Sequence, residues 1–101
     1  MYNSIMMAEF EQLLKKKDIN VIDVREDDEF ESGHIKTAKH IALGTIPENL
    51  DKLDDKEEYY VICYSGARSA RASMFLGNKC YKVTNVMGGM SAYRGELEFG
   101  K

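Results

Sequence analysis

The segment YYVICYSGARSARASMFL, residues Tyr59–Leu76, decides the fold. It starts as an apolar strand that ends at Cys63, passes through a turn of small residues, and continues as a helix that begins at Arg68. Other short apolar segments without strict alternation recur along the chain, and helical segments separate them. This order predicts an α/β fold with a mainly parallel sheet of about five strands and helices on both faces.

The same patterns place the remaining elements. The predicted strands are Asn20–Val24, His40–Leu43, Tyr59–Cys63 and Tyr81–Val86, and Ser4–Met6 is a short opening segment before them. The predicted helices are Ala8–Lys17, a short acidic helix within Glu26–Gly33, one that starts at Pro47, Arg68–Asn78, and a last helical turn within Gly88–Gly95. Ligand sites of such sheets form at the carboxyl ends of the strands, and Cys63 ends the most apolar strand.

The composition indicates one folded domain, residues 1–101, and narrows the class of protein. Hydrophobic residues make up 44% and charged residues 31%, and the net charge of −3 argues against dedicated nucleic-acid binding. No apolar run approaches the ~18 residues of a membrane span, and the N-terminal segment lacks the basic region of a signal peptide. We therefore expect a cytoplasmic protein with reduced thiols that binds neither nucleic acid nor a membrane.

The turn after Cys63 contains the features that stabilise a thiolate. Gly66 allows a left-handed backbone, so that consecutive N–H groups can surround an anion at the start of the helix. Reactive cysteines in such surroundings have pKa values of roughly 3.5–7.5. Arg68 adds positive charge, and Ser69 is placed to cap backbone groups at the helix start. A buried, inert cysteine would not require this combination.

Three segments resemble the rhodanese superfamily. CYSGARS (Cys63–Ser69) is similar to the active-site loop of that family. VIDVREDDEFESGHIKTAKHIAL (Val21–Leu43) resembles its Asp-Val-Arg-Glu … Glu-Phe … Gly-His-Ile segment, and TNVMGGMSAY (Thr84–Tyr93) resembles its late Asn-Val-x-Gly-Gly-Met region. The resemblance covers essentially the whole chain, and it implies a rhodanese-like domain that is present as a single copy.

The resemblance implies sulfur transfer. Cys63 would take sulfur from thiosulfate or a persulfide donor, hold it as a persulfide, and pass it to a thiol or to cyanide. Arg68 would bind an anionic donor and stabilise the thiolate. No metal or organic cofactor is needed, the acceptor thiol could belong to a protein, and we expect a monomer. The other residues that are expected to line the substrate site are Tyr64, Ser65, Gly66, Ala67 and Ser69.

A further set of residues matches family positions that organise the scaffold. In this chain they are Asp23, Arg25, Glu29, Gly33 and His34. We expect Asp23 and Arg25 to form a structural ion pair, and we prefer a scaffold role for His34 over a role as general base.

Two other functions use some of the same features. Cysteine phosphatases and arsenate reductases also use a cysteine, a backbone cradle and an arginine, but their loops resemble Cys-x5-Arg. This chain has Cys-x4-Arg, which is one residue shorter and suits a single sulfur atom better than a tetrahedral oxyanion. Some rhodanese-like domains are non-catalytic binding or regulatory modules, and this chain could also carry sulfur to one partner only.

Cys80 is the second cysteine and has two interpretations. It could be a resolving thiol that closes a disulfide with Cys63. We prefer the simpler interpretation of a packed or exposed residue between a helix and a strand.

Overall fold

Strands and helices alternate along residues 2–101, which are the residues that the computed structural model describes. The strands are β1 Asn3–Met6, β2 Asn20–Asp23, β3 Ala38–His40, β4 Glu58–Ile62 and β5 Lys82–Met87. The α-helices are α1 Met7–Lys16, α2 Asp27–Glu31 and α3 Ala67–Asn78, and 3-10 helices span Leu43–Lys52 and Gly89–Ala92. Within residues 2–101, no helix combines the length and the apolar character that crossing a membrane requires.

The strands form one five-stranded sheet in the order β1-β5-β4-β2-β3. All four neighbouring pairs are parallel. The predicted α/β fold with a parallel sheet is therefore confirmed. Because the strands run in one direction, the segments that follow β2, β4 and β5 all emerge at the same edge of the sheet. Cys63 lies at this edge, directly after β4.

Successive residues of β4 point to opposite faces of the sheet, so each belongs to a different hydrophobic core. Val61 packs with Leu76 of α3 on one face. Ile62 packs with Phe10 of α1 on the other face. All four side chains are fully buried, and each such burial stabilises the fold by roughly 1.5–3 kcal/mol. Helices thus cover both faces, and the C-terminal half of α3 anchors the helix whose N-terminal end meets Cys63.

The region between β3 and β4 differs from its prediction. The strand that was predicted over His40–Leu43 lies instead at Ala38–His40, so that the prediction shares only His40 with the observed strand. Ile41 and Leu43 suggested a strand because they are apolar, but they pack into the α3-side core after the strand has ended. The helix that was predicted to start at Pro47 begins at Leu43, with Pro47 inside it and a kink at Asn49.

Candidate active site

The backbone around Cys63 is held by the 3-10 segment that follows β5. The carbonyl oxygens of Cys63 and Tyr64 accept hydrogen bonds from the N–H groups of Met90 and Ser91, and both distances are 2.8 Å. Gly89, with φ of +54°, makes this approach possible because a Cβ atom there would overlap both carbonyl oxygens. The Gly-Gly-Met segment, which follows the neighbouring strand β5, therefore supports the turn after Cys63.

The turn itself wraps its N–H groups around the sulfur. The backbone N–H of Gly66 donates to Sγ of Cys63 over 3.0 Å. Gly66 has φ of +111°, a conformation that residues with a Cβ atom rarely adopt. Cys63 has no exposed surface. The sulfur therefore sits in a cradle of backbone donors next to the N-terminal end of α3.

Two opposing influences act on the pKa of Cys63. Burial is the largest single influence and raises the pKa. Hydrogen bonds from the Ser69 hydroxyl and from the backbone N–H groups of Ser69, Gly66 and Ser65 act in the opposite direction. Together they outweigh burial, so that the pKa of Cys63 lies below its ordinary value of 9.0. The site therefore favours the nucleophilic thiolate.

The hydroxyl group of Ser69 links the sulfur to β5. Ser69 Oγ lies 3.4 Å from Sγ of Cys63, and it also contacts Oδ1 of Asn85 through a short hydrogen bond. Ser69 is fully buried and Asn85 is 4% exposed. A hydroxyl has one proton, so it cannot donate to both neighbours at once. The S–H of a Cys63 thiol can donate to this hydroxyl, while the hydroxyl donates to Asn85 or to the carbonyl oxygen of Gly66, which lies 3.1 Å away. A Cys63 thiolate gives the hydroxyl proton a further acceptor.

The guanidinium group of Arg68 forms an ion pair with Glu29 of α2. Nη1 donates to Oε1 over 2.7 Å and Nη2 donates to Oε2 over 2.9 Å. The hydrogen bond from Arg68 is the main reason that the pKa of Glu29 is lowered to about 2, and the bond to Glu29 raises the pKa of Arg68. Arg68 makes no hydrogen bond to Sγ, but it lies within electrostatic range of Cys63.

The structure brings the predicted loop residues together at one place. Tyr64, Ser65 and Ala67 are exposed at the mouth, whereas Gly66 and Ser69 face the sulfur. Sequence reasoning missed two members of the site. Asn85 was available as an amide within a predicted strand, a place where asparagine is disfavoured. Glu29 was assigned to the scaffold alone because its partner lies 39 residues away along the chain.

The positions of the predicted scaffold residues agree with a structural role. Arg25 forms a buried ion pair with Asp23, with Nη2 and Oδ2 2.8 Å apart. The same nitrogen donates to the carbonyl oxygen of Gly33 over 2.8 Å and ties the end of β2 to the end of α2. The ring of His34 stacks on Phe30 with its centroid at 3.7 Å, and its Nδ1 contacts the Phe30 carbonyl oxygen at 2.7 Å.

Cys80 lies at the opposite end of α3 from Cys63. The helix has 12 residues, which corresponds to a length of about 18 Å. A disulfide requires Cα atoms within roughly 7 Å, so the two cysteines of one chain cannot pair in this fold. The simpler interpretation of Cys80 as an exposed residue between a helix and a strand matches its position. Residues 2–101 contain no cluster of three or more His, Cys, Asp or Glu side chains that could hold a metal ion.

Comparison with known proteins identifies the family. The model of the rhodanese-like domain matches residues 6–96. A Bacillus subtilis (strain 168) protein named "Putative sulfurtransferase YtwF" is 43% identical over 88 residues, which cover 87% of this chain and 85% of that protein. Thiosulfate sulfurtransferase GlpE of Coxiella burnetii is 33% identical over 95 residues, covering 93% of this chain and 89% of that protein.

A solved structure agrees with the sequence comparisons. The crystal structure of a rhodanese-like domain protein from Staphylococcus aureus superposes with a TM-score of 0.90 at 38% identity, covering 98% of this chain and 99% of that one. The chain therefore belongs to the rhodanese-like domain family. Its similarity to proteins that are named as sulfurtransferases supports sulfur transfer as its general chemistry.

Proposed function

We propose that this protein is a sulfurtransferase that moves sulfane sulfur from thiosulfate or a persulfide to a thiol acceptor through a persulfide on Cys63. The observation that carries this proposal is the buried Sγ of Cys63 with the Gly66 N–H donating to it over 3.0 Å. Such a cradle stabilises a negative charge on sulfur. It also lowers the pKa of the thiol on which the chemistry depends.

The first half-reaction loads the protein with sulfur. The Cys63 thiolate attacks the outer sulfur of the donor, and a new S–S bond forms as the S–S bond of the donor breaks. The electron pair of the broken bond leaves with sulfite when thiosulfate is the donor, or with a thiolate when the donor is a persulfide. The outer sulfur then carries the negative charge on Cys63.

The second half-reaction unloads it. The thiolate of the acceptor attacks the outer sulfur of the Cys63 persulfide, and the electron pair of the broken S–S bond returns to Sγ. The N–H groups of the turn stabilise the returning thiolate as donors in an oxyanion hole stabilise oxygen. No electrons are gained or lost overall, so the two steps require no redox cofactor. Ping-pong kinetics follow from the two separate half-reactions.

The mouth of the turn would control access to Cys63. Tyr64 is 54% exposed there and is placed to contact donors and acceptors. Small sulfur donors and thiols are the proposed partners, with a protein thiol as a further acceptor, and the cytoplasm is the proposed location. Phosphatase or arsenate chemistry is disfavoured because the Cys-x4-Arg turn is short and the arginine contacts Glu29 instead of facing the cradle.

Intact-mass spectrometry on reduced protein tests the proposal. Incubation with thiosulfate or with a small persulfide should add one sulfur atom, which cyanide or a thiol then removes. Cys63→Ser should abolish the gain, and Cys80→Ser, the matched control with the other cysteine, should leave it unchanged. Failure of both donors to load the wild-type protein would contradict the proposal and favour a binding module. Sulfur uptake that persists in Cys63→Ser but is lost in Cys80→Ser would show that Cys80 carries the sulfur, and it would contradict the proposal.

A further inference from the structure

The charge of the arginine in the catalytic turn is already compensated. Both terminal nitrogens of Arg68 donate to the two carboxylate oxygens of Glu29, and the two side chains are 34% and 32% exposed. Oε1 of Glu29 also accepts the backbone N–H of Glu26 over 3.0 Å, which fixes the carboxylate at the start of α2. Glu29 is therefore held in place as a fixed anion beside Arg68.

This arrangement affects donors according to their charge. An anionic donor that approaches Cys63 must compete with a bidentate carboxylate for Arg68, and it is repelled by that carboxylate. Glu26, which is exposed at the N-cap of α2, also lies within electrostatic range of Arg68. The penalty grows with the charge of the donor, because the Coulomb energy is proportional to charge.

We propose that Glu29 is a specificity-determining residue that disfavours dianionic donors such as thiosulfate and leaves singly charged persulfides as the preferred sulfur donors. This inference rests on the proposed sulfur transfer, whose donor class it narrows. Glu29 acts through Arg68 and through its own charge, and it takes no part in the bond-breaking steps.

Two donors of matched chemistry separate charge from every other effect. Thiosulfate, a dianion, gives its outer sulfur to a thiolate and releases sulfite. Methanethiosulfonate, a monoanion, gives its outer sulfur in the same way and releases methanesulfinate, with the electron pair of the broken S–S bond leaving in both reactions. The kcat/KM of each donor is measured with the same thiol acceptor.

Glu29→Gln is the informative variant. Glutamine removes the negative charge but keeps an oxygen for the N–H of Glu26, so that the capping interaction of α2 survives. Glu31→Gln is the matched control, because it removes the same charge from the same helix at a residue whose salt-bridge partner is Lys101. Thermal unfolding of each variant verifies that the fold is intact.

The expected result is a larger gain in kcat/KM for thiosulfate than for methanethiosulfonate. If Glu29→Gln raises kcat/KM for methanethiosulfonate about threefold, thiosulfate should gain about ninefold, because doubling the charge doubles the change in Coulomb energy and squares the factor. Glu31→Gln should change both donors by less than about twofold. Equal factors for the two donors, or an equal loss for both, would overturn the inference and leave Glu29 as an organising residue.

A binding measurement separates this inference from the proposed function. Cys63→Ser removes the nucleophile, so thiosulfate can be titrated onto the protein by NMR without turnover. Adding Glu29→Gln to that background should tighten the binding of thiosulfate by about fivefold to tenfold. Equal affinities of Cys63→Ser and of the double variant for thiosulfate would contradict the role of Glu29 even if sulfur transfer is real. Tighter binding without loading of Cys63 by either donor would leave the electrostatic effect of Glu29 in place and would overturn the proposed sulfur transfer instead.

Discussion

The two cysteines lie at opposite ends of α3, and their surroundings differ in every respect that matters for reactivity. Cys63 is fully buried, yet its sulfur faces N–H donors at the positive end of the helix. Cys80 is exposed beyond the negative end, with φ of +71° and its own N–H bonded to the Gly77 carbonyl oxygen. Exposure alone offers a thiol no donors that stabilise its anion. The donors aimed at Sγ of Cys63 favour its thiolate even against the cost of burial.

Of the substitutions around Cys63, Gly89→Ala should have the largest effect on stability and on sulfur transfer. The added Cβ atom would overlap the carbonyl oxygens of Cys63 and Tyr64 in a left-handed backbone, so the turn must move. We expect a loss of about 2–4 kcal/mol in the free energy of unfolding, measured with urea, together with a large loss of sulfur transfer. Gly44→Ala is the matched control, because nothing lies within 4 Å of its Cβ position. Equal stability of the two variants would show that the turn is not held by this contact.

Ser69→Ala should have the next largest effect and should act on the thiolate. It removes the hydroxyl that donates to ionised Cys63, so the pKa of Cys63 should rise and the rate of sulfur uptake at neutral pH should fall about tenfold. The rate should recover as the pH is raised, because the thiolate then forms without that donor. The measurement is the pH profile of persulfide formation.

Ser73→Ala is the control for that experiment. Ser73 is equally buried one turn further along α3, and its hydroxyl has no hydrogen-bond partner among residues 2–101. Its removal should leave the pH profile unchanged and should not destabilise the fold through a lost hydrogen bond. A similar shift of the profile in both variants would mean that Ser69 acts through packing.

The smallest expected effect is the change in stability with pH that comes from the ion pair between Glu29 and Arg68. The pKa of Glu29 in the folded protein is about 2 against 4.5 for the free group, so its stabilising contribution is present above pH 4.5 and is lost as the pH falls through about 2. Because the pair is partly exposed, we expect a contribution of only about 1 kcal/mol. Wild type should lose about that much more stability than Glu29→Gln between these pH values, measured by urea unfolding. Parallel losses would show that the pair adds no stability.

Much of the fold was predictable from local patterns. The apolar run that ends at Cys63 and the helical spacing after it gave β4 and α3 to within one residue at their facing ends. The strand at His40 was misplaced because Ile41 and Leu43 pack into the α3-side core after the strand has ended. An apolar pattern reports burial, and it does not report which neighbour provides the burial.

The site was predictable only where its parts are neighbours in the chain. Gly66 and Ser69 follow Cys63 within one turn, so their roles could be inferred from spacing. Asn85 and Glu29 reach the turn from β5 and α2, and their contacts depend on the order of the strands in the sheet. A single sequence does not give that order, and so these two partners required the structure.

The most direct test of the account is the pKa of Cys63 in the folded protein. In the Cys80→Ser background, the rate of alkylation by iodoacetamide is followed against pH, and unfolded protein provides the reference. The midpoint should lie below the ordinary value of 9.0, with a rate that rises through that lower pH and then stays constant. A midpoint at or above the value of the unfolded protein would show that burial prevails over the hydrogen bonds, and it would contradict the claim that this turn is built to hold a charged sulfur.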